Sequence, residues 1–256
     1  MEINSTHHLL SQILTILKLM VEAGAEIYRV EESAKLIFGA YNFKNVDVFA
    51  TTSNIILSVE DSDGVIKTHT RRILKIYNDM EKVHSLNSLV REITARKPDL
   101  EYIDAQIKKI SSAKKYPAVV EVAFYGIIVG AFYFFFGGRS FLEFAFSVIV
   151  GLCTGVLNRT FEKLDFNKIL AKFLLSFVAA LVTFALRQLN AVTNTEYIII
   201  ANIMTLIPGT GLTNSLRDLF VGDNISGVLR LIEAGLSALA IAGGYIAVLA
   251  LFGGVL

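Results

Sequence analysis

Cysteine occurs once in the 256 residues, at Cys153, so no intrachain disulfide can form. That side chain lies in an apolar run and is expected to be inert packing. The four histidines, His7, His8, His69 and His84, have no ligand spacing. Also missing are a zinc-spaced Cys/His set, a phosphate-cradling glycine loop with its lysine, and a serine nucleophile elbow. No metal and no cofactor is therefore expected. Charge of one sign is not in excess either: 24 basic against 23 acidic residues leave a net charge of +1, which gives no reason to expect a nucleic-acid partner. The first residues lack the basic start of a secretory signal. Glu2, Asn4, Ser5 and Thr6 stand there, and the apolar stretch Leu9 to Val21 is interrupted by Ser11, Gln12 and Lys18.

What is present is apolar side chain, at 54% of residues with a mean hydropathy of +0.56 and 18% charged residues. The distribution is uneven. Residues 1–116 carry ordinary charge density, whereas residues 117–256 are a series of apolar runs near the length that crosses about 30 Å of hydrocarbon. The expected architecture is that of a membrane protein. A cytosolic α+β domain (1–116), helices with a small antiparallel sheet, precedes a bundle of five transmembrane helices (117–256).

In the first part, Leu9, Leu10, Ile13, Leu14, Leu17, Met20 and Val21 recur at helical spacing up to Gly24. Residues 26–41 form a second helix, with Ile27, Val30, Ala34, Ile37 and Phe38 on one face. The period then changes to two over 45–51, 54–60 and 65–70, with a turn at Asp61-Ser62-Asp63-Gly64, predicting a three-stranded meander. Ile76, Met80, Val83, Leu86, Leu89, Val90 and Ile93 predict a covering helix stopped by Pro98. A last amphipathic helix carries Leu100, Ile103, Ile107 and Ile110 into Lys108, Lys109, Lys114 and Lys115, a basic stretch suited to anionic headgroups.

Five spans are predicted in the second part, at about 118–136, 141–157, 169–186, 196–216 and 228–252. Loop lysines and arginines place the amino terminus in the cytosol and the carboxyl terminus outside: Arg159, Lys163, Lys168, Lys172, Arg217 and Arg230 share one side, Arg139 and Arg187 the other. Gly126, Gly130, Gly151, Gly155, Gly235, Gly243 and Gly244 are read as helix-packing positions. Glu121 and Glu143 fall near predicted membrane ends and read as interfacial. Glu233 reads as the ion-pair partner of Arg230 three residues before it.

The fourth predicted span contains Ile207-Pro208-Gly209. Proline has no N–H to donate and collides with the preceding turn, and glycine tolerates backbone shapes closed to other residues, so Pro208 and Gly209 should break this helix. In hydrocarbon, a broken helix persists only where protein or a wet cavity satisfies the freed backbone groups. Asn202, Thr205, Asn214 and Asp218 bracket the break. Together with Pro208 and Gly209 they are the candidate lining of a substrate or ion pathway, interhelical hydrogen bonding being the alternative. In the first part, the charge-dense helix start with Gly24, Glu26, Arg29 and Glu31 is a candidate motif. Thr68 and Arg71 could complete a polar pocket with it, although a solvated helix face explains the same charges.

These stretches carry a family resemblance. Gly24-Ala25-Glu26-Ile27-Tyr28-Arg29-Val30-Glu31-Glu32, Thr51-Thr52-Ser53-Asn54-Ile55, Thr68 to Arg71, and Ile207-Pro208-Gly209 with Asn214, Asp218-Leu219-Phe220, Gly222 and Gly227 resemble, in order, the threonine/serine exporter family. The resemblance implies secondary active export of a small polar metabolite such as threonine or serine across the cell membrane, with the proton gradient as energy source. It also implies the split form of such an exporter, completed by a second small membrane subunit, and an oligomer in the lipid bilayer. Asp218, at the cytosolic end of the broken segment, is the proton-coupling candidate. The alternatives are a dicarboxylate (succinate) exporter, with Arg217 and Arg230 answering the second carboxylate, and, in other classes, a membrane-tethered cytosolic enzyme or a regulatory scaffold. The chain is not expected to be an enzyme, because a tether needs only one plain span.

Overall fold

The computed structural model describes residues 3–60, 64–113 and 116–252, and the chain divides into two compact units. The first comprises Met1–Lys114 and Thr210–Leu231, the second Lys115–Gly209 and Ile232–Leu256.

The first unit is built on helical periodicity. Helices α1 (Ile3–Glu22) and α2 (Ile27–Ala40) bury the apolar faces read from the sequence, Leu10, Ile13, Leu17 and Met20 on one and Ile27, Val30, Ile37 and Phe38 on the other. Strands β1 (Lys44–Ala50), β2 (Asn54–Glu60) and β3 (Ile66–Arg72) form one antiparallel sheet in the order β1-β2-β3. Alternation along β2 sends Ile55, Leu57 and Val59 into the same core. Of the expected turn between β2 and β3, Asp61, Ser62 and Asp63 lie outside the described residues, as do Lys114 and Lys115 of the basic stretch. Helix α3 (Met80–Arg96) starts where the Asp79 carboxylate accepts the Lys82 amide, so Ile76, expected within it, precedes it. Helix α4 (Leu100–Ser111) is capped in the same way by Asp99, and α3 and α4 complete the core with Leu86, Ile93 and Ile103.

Between α1 and α2 the chain turns at Gly24, whose φ of +89° lies in the region L side chains avoid. A Cβ there would also press on the Tyr77 carbonyl and on Asn78. Residues 77–79 run beside this turn, Tyr77 N–H donating to Glu22 O (2.8 Å) and Asp79 N–H to Ala23 O (3.0 Å). The remaining members of this unit are α9 (Gly209–Val221), from Thr210 onward, and the opening turns of α10 (Asn224–Phe252).

The second unit holds α5 (Ala118–Phe135), α6 (Phe141–Lys163), α7 (Lys168–Gln188), α8 (Thr195–Leu206) and the rest of α10. Among the described residues, four helices are long and apolar enough to cross a membrane: α5, α6, α7 and α10. The sequence predicts five. The expected fourth span, 196–216, is instead two helices, because Pro208 follows the last residues of α8 and α9 begins at Gly209. With 12 residues, α8 is about 18 Å long, short of the roughly 30 Å of hydrocarbon.

Close approach of α5 and α6 depends on small residues. A Cβ at Gly126 or Gly130 would overlap side chains of α6, and one at Gly151 or Gly155 would overlap Val129 or Tyr125 of α5. Gly244 meets the backbone of α7 in the same way, whereas nothing lies within 4 Å of a Cβ built at Gly235, which is no packing position. Cys153, expected to be packed, is exposed on α6.

This difference predicts a contrast. Gly130→Leu should destabilise the helical bundle by about 1–3 kcal/mol through overpacking, while Gly235→Leu should be nearly neutral. Unfolding of the purified chain in mixed micelles would measure both.

Candidate functional site

The structure separates the six candidate pathway residues. Asn202, Thr205, Pro208 and Gly209 fall in the second unit, Asn214 and Asp218 in the first. Within the first unit, Asn214 and Asp218 meet the helix-start motif that the sequence singles out independently. The Asn214 side-chain amide donates to Gly24 O (3.3 Å). Asp218 is fully buried, and neither carboxylate oxygen has a hydrogen-bond partner among the described residues. Its counter-ion is Arg230, 8% exposed, with Nη1 at 3.5 Å; Nη2 of the same arginine donates to Ala25 O (2.9 Å).

Arg217, beside Asp218 in sequence, turns away from it. Its Nη1 pairs with Glu26 (2.5 Å), its Nη2 donates to the Tyr28 hydroxyl (2.7 Å), and its guanidinium lies 5.1 Å from the Tyr28 ring centroid. Glu26 also pairs with Arg29 one turn on (3.4 Å). The sequence pairs Arg230 with Glu233, but in the structure this arginine pairs with Asp218 on α9. Helix α9 is inverted relative to a helix in water: Ser215 and Asp218 are buried, while Leu212, Leu216 and Phe220 are exposed.

Two carboxyls here are displaced from their ordinary range. Burial pushes Asp218 up; Arg230 opposes this, Asp223 adds to it, the Ile27 amide opposes it and Glu26 adds a little more. Burial also pushes Glu31 up, against the Ala50 N–H that it accepts at 2.8 Å, with Asp223 raising it further and Lys35 lowering it. Thr68 and Arg71 are placed elsewhere: Thr68 shares a hydrogen bond with Ser58 (2.7 Å) and Arg71 donates to Ser11 (3.2 Å).

In the second unit, Asn202 is 1% exposed and satisfied on both sides. It donates to Ile198 O (2.9 Å) and accepts from Thr154 of α6 (3.4 Å). Thr205 donates to Asn202 O (2.7 Å), within its own helix. The centre that sequence reasoning misses is Glu143, expected at the interface but 4% exposed. Oε1 accepts Thr193 N–H (2.9 Å), the Thr193 hydroxyl (2.8 Å) and Asn194 N–H (3.0 Å), and Oε2 accepts the Tyr133 hydroxyl (2.8 Å). This carboxylate holds the entry to α8, where unpaired amides make a negative charge favourable. The spacing Ser140 to Glu143 is a legible capping signal, and the Ser140 hydroxyl does accept the Glu143 amide. The carboxylate itself goes to residues about fifty positions later, which local spacing cannot show. Among the described residues, no group of three or more His, Cys, Asp or Glu is placed to hold a metal ion.

A three-stranded α+β unit joined to several apolar helices long enough to cross a bilayer, with buried carboxylates in both units, defines a multi-pass membrane protein. A family model described as "Putative threonine/serine exporter" matches residues 12–252, nearly the whole chain, and the chain belongs to that family. Comparison with curated proteins and with solved structures gives no match.

Removing Arg230 leaves Asp218 as an uncompensated buried charge, so Arg230→Met should cost about 3–5 kcal/mol, and adding Asp218→Asn should recover much of it. Denaturation of the full chain measures both. The sign of the pH effect comes from the raised Asp218 value. Its stabilising contribution is full below the ordinary carboxylate range and is lost as pH rises through the raised value. Asp218→Asn should flatten that slope.

Glu143→Ala should cost roughly 3 kcal/mol or more, since hydrogen bonds to a charged group are each worth about 1.5–3 kcal/mol. Glu143→Gln should cost less, because the amide keeps an acceptor for part of the set.

Proposed function

We propose that the chain is a secondary active exporter, or the larger part of one, for threonine and serine. In this reading it is driven by the proton gradient and completed in the plasma membrane by a second small membrane subunit, in an oligomeric assembly. The observation that carries the reading is the family match, which runs through both units. Support for the coupling ion comes from Asp218, a fully buried carboxyl raised by burial, whose oxygens have no hydrogen-bond partner among the described residues and which faces Arg230. Such a group gains or loses a proton readily in response to a small change in its surroundings.

The substrate path in this reading runs by the end of α8. Asn202, Thr205, Pro208 and Gly209 lie where the helix breaks, and broken helices offer free carbonyls and amide ends to a zwitterion. Loop charges support an amino terminus in the cytosol and a carboxyl terminus outside. That orientation needs α8 and its flanking residues to carry the chain across as a fifth, shortened passage. The dicarboxylate alternative draws on Arg217, which pairs with Glu26 and Tyr28, and on Arg230, which pairs with Asp218 and Ala25.

Efflux of labelled threonine, serine and succinate from vesicles, with the chain alone and with its second subunit, tests the reading. Gradient-dependent efflux of threonine or serine is expected, falling at least about tenfold in Asp218→Asn, which removes the proton site. Efflux of succinate alone, or gradient dependence retained in Asp218→Asn, would contradict it.

A further inference from the structure

Helix α9 shows its apolar side chains and hides its polar ones. Leu212, Leu216 and Phe220 recur every four residues and are exposed, Phe220 to 87%, whereas Ser215 and Asp218 are fully buried. The roll of the helix is fixed by its inner side, where Asn214 donates to Gly24 O, Arg217 pairs with Glu26, and Arg230 holds Asp218. Left in water, the outer side costs about 25 cal/mol for each Å² of apolar surface. Chain connectivity indicates what covers it. Helix α10 has 29 residues and is therefore about 43 Å long. That exceeds roughly 30 Å of hydrocarbon and matches the about 40–45 Å of a bilayer with both headgroup layers, so a crossing α10 begins at headgroup level. Two residues, Gly222 and Asp223, separate it from α9, and a Cβ at Gly227 would overlap Leu219, so the end of α9 packs directly on the opening turn of α10. The exposed apolar stripe of α10 also runs up to that turn: Leu239, Leu236, Ile232, Leu229 and Ile225 follow at three- and four-residue spacing. Glu233, the one acid on α10, interacts electrostatically with Lys172 of α7.

We propose that α9 is an interfacial helix, lying along one surface of the bilayer with Leu212, Leu216 and Phe220 among the lipid chains just below the headgroups. Its outer face extends the lipid-facing stripe of α10 around the corner at Gly222 and Asp223. Burial of apolar side chains drives the contact rather than attraction to anionic headgroups, because the one basic residue of α9 is Arg217, already engaged by Glu26 and Tyr28. Insertion of α10 is enough for this arrangement, and the export reading is not needed for it. One consequence concerns the buried pair: the helix that rests on lipid carries Asp218 on its other side, roughly 10 Å away, one helix diameter.

The chain contains no tryptophan, so a single introduced one reports on its own surroundings. The test places Phe220→Trp in the full chain, reconstituted in phosphatidylcholine nanodiscs whose lipids carry bromine, a contact quencher, either near the headgroup end or near the middle of the acyl chain. Leu239→Trp on the α10 stripe is the deep reference and Ile66→Trp on β3 sets the background; all three positions are well exposed, so the larger ring displaces little. Phe220→Trp should lose most of its emission to the shallow bromine and less to the deep one, and Leu239→Trp should show the reverse order. Leu216→Trp, a second variant on the same stripe, should behave as Phe220→Trp does. Stronger quenching of both α9 variants by the deep bromine overturns the proposal, since α9 would then be part of a span. Quenching at Leu239→Trp with neither bromine acting on the α9 variants also overturns it. Iodide in the water then tells a solvated face, quenched by it, from one covered by a second copy, shielded from both.

Discussion

The contact on which the first unit's unusual features depend is the buried pair of Asp218 and Arg230. A lone buried charge is unstable, and a buried pair is tolerated only when further groups satisfy what the pair leaves over. Arg230 is satisfied by Asp218 on one side and by Ala25 O on the other, so it joins the start of α2 to α9. Asn214 donating to Gly24 O repeats that link one turn earlier. Asp218 is the less satisfied partner, with two oxygens lacking a hydrogen bond among the described residues. The burial that makes the pair structural is thus also what makes the carboxyl sensitive to protonation.

Glu143 shows the opposite solution. It too is a buried carboxylate, but four donors from two separate segments converge on it. A carboxylate so surrounded is a fixed anchor for the short helix α8, and its natural role is to hold position. The contrast between a saturated and an unsaturated buried carboxylate is a physical reason to look for coupling at Asp218.

Much of the fold was legible because its signals are local. Seven apolar residues at helical spacing in α1 and alternation along β2 each report on a few neighbouring residues, and the structure agrees with them. The break at Pro208 and Gly209 was legible for the same reason. The course of the chain beyond that break was not. The start of helix α9, with Leu212 and Leu216, falls in what reads as a continuing span to residue 216, yet its buried residues are Ser215 and Asp218 and it groups with the first unit. The candidate site was half legible: Gly24, Glu26, Asn214 and Asp218 all stand out in the sequence, as two unrelated sets. Their meeting spans about 190 positions of sequence, and Glu143 reaches its partners across about fifty. Period and spacing carry no information over such distances.

Proton coupling at Asp218 requires a carboxyl that exchanges its proton inside the folded chain. Infrared difference spectroscopy of the full chain in lipid, with aspartate isotopically labelled, reads that directly. The expected spectrum contains a carbonyl band of a protonated carboxyl, absent from Asp218→Asn, which disappears only as pH rises above the ordinary aspartate range. A wild-type spectrum in which Asp218 loses its proton within that range, or shows no such band at any pH, would rule the coupling role out.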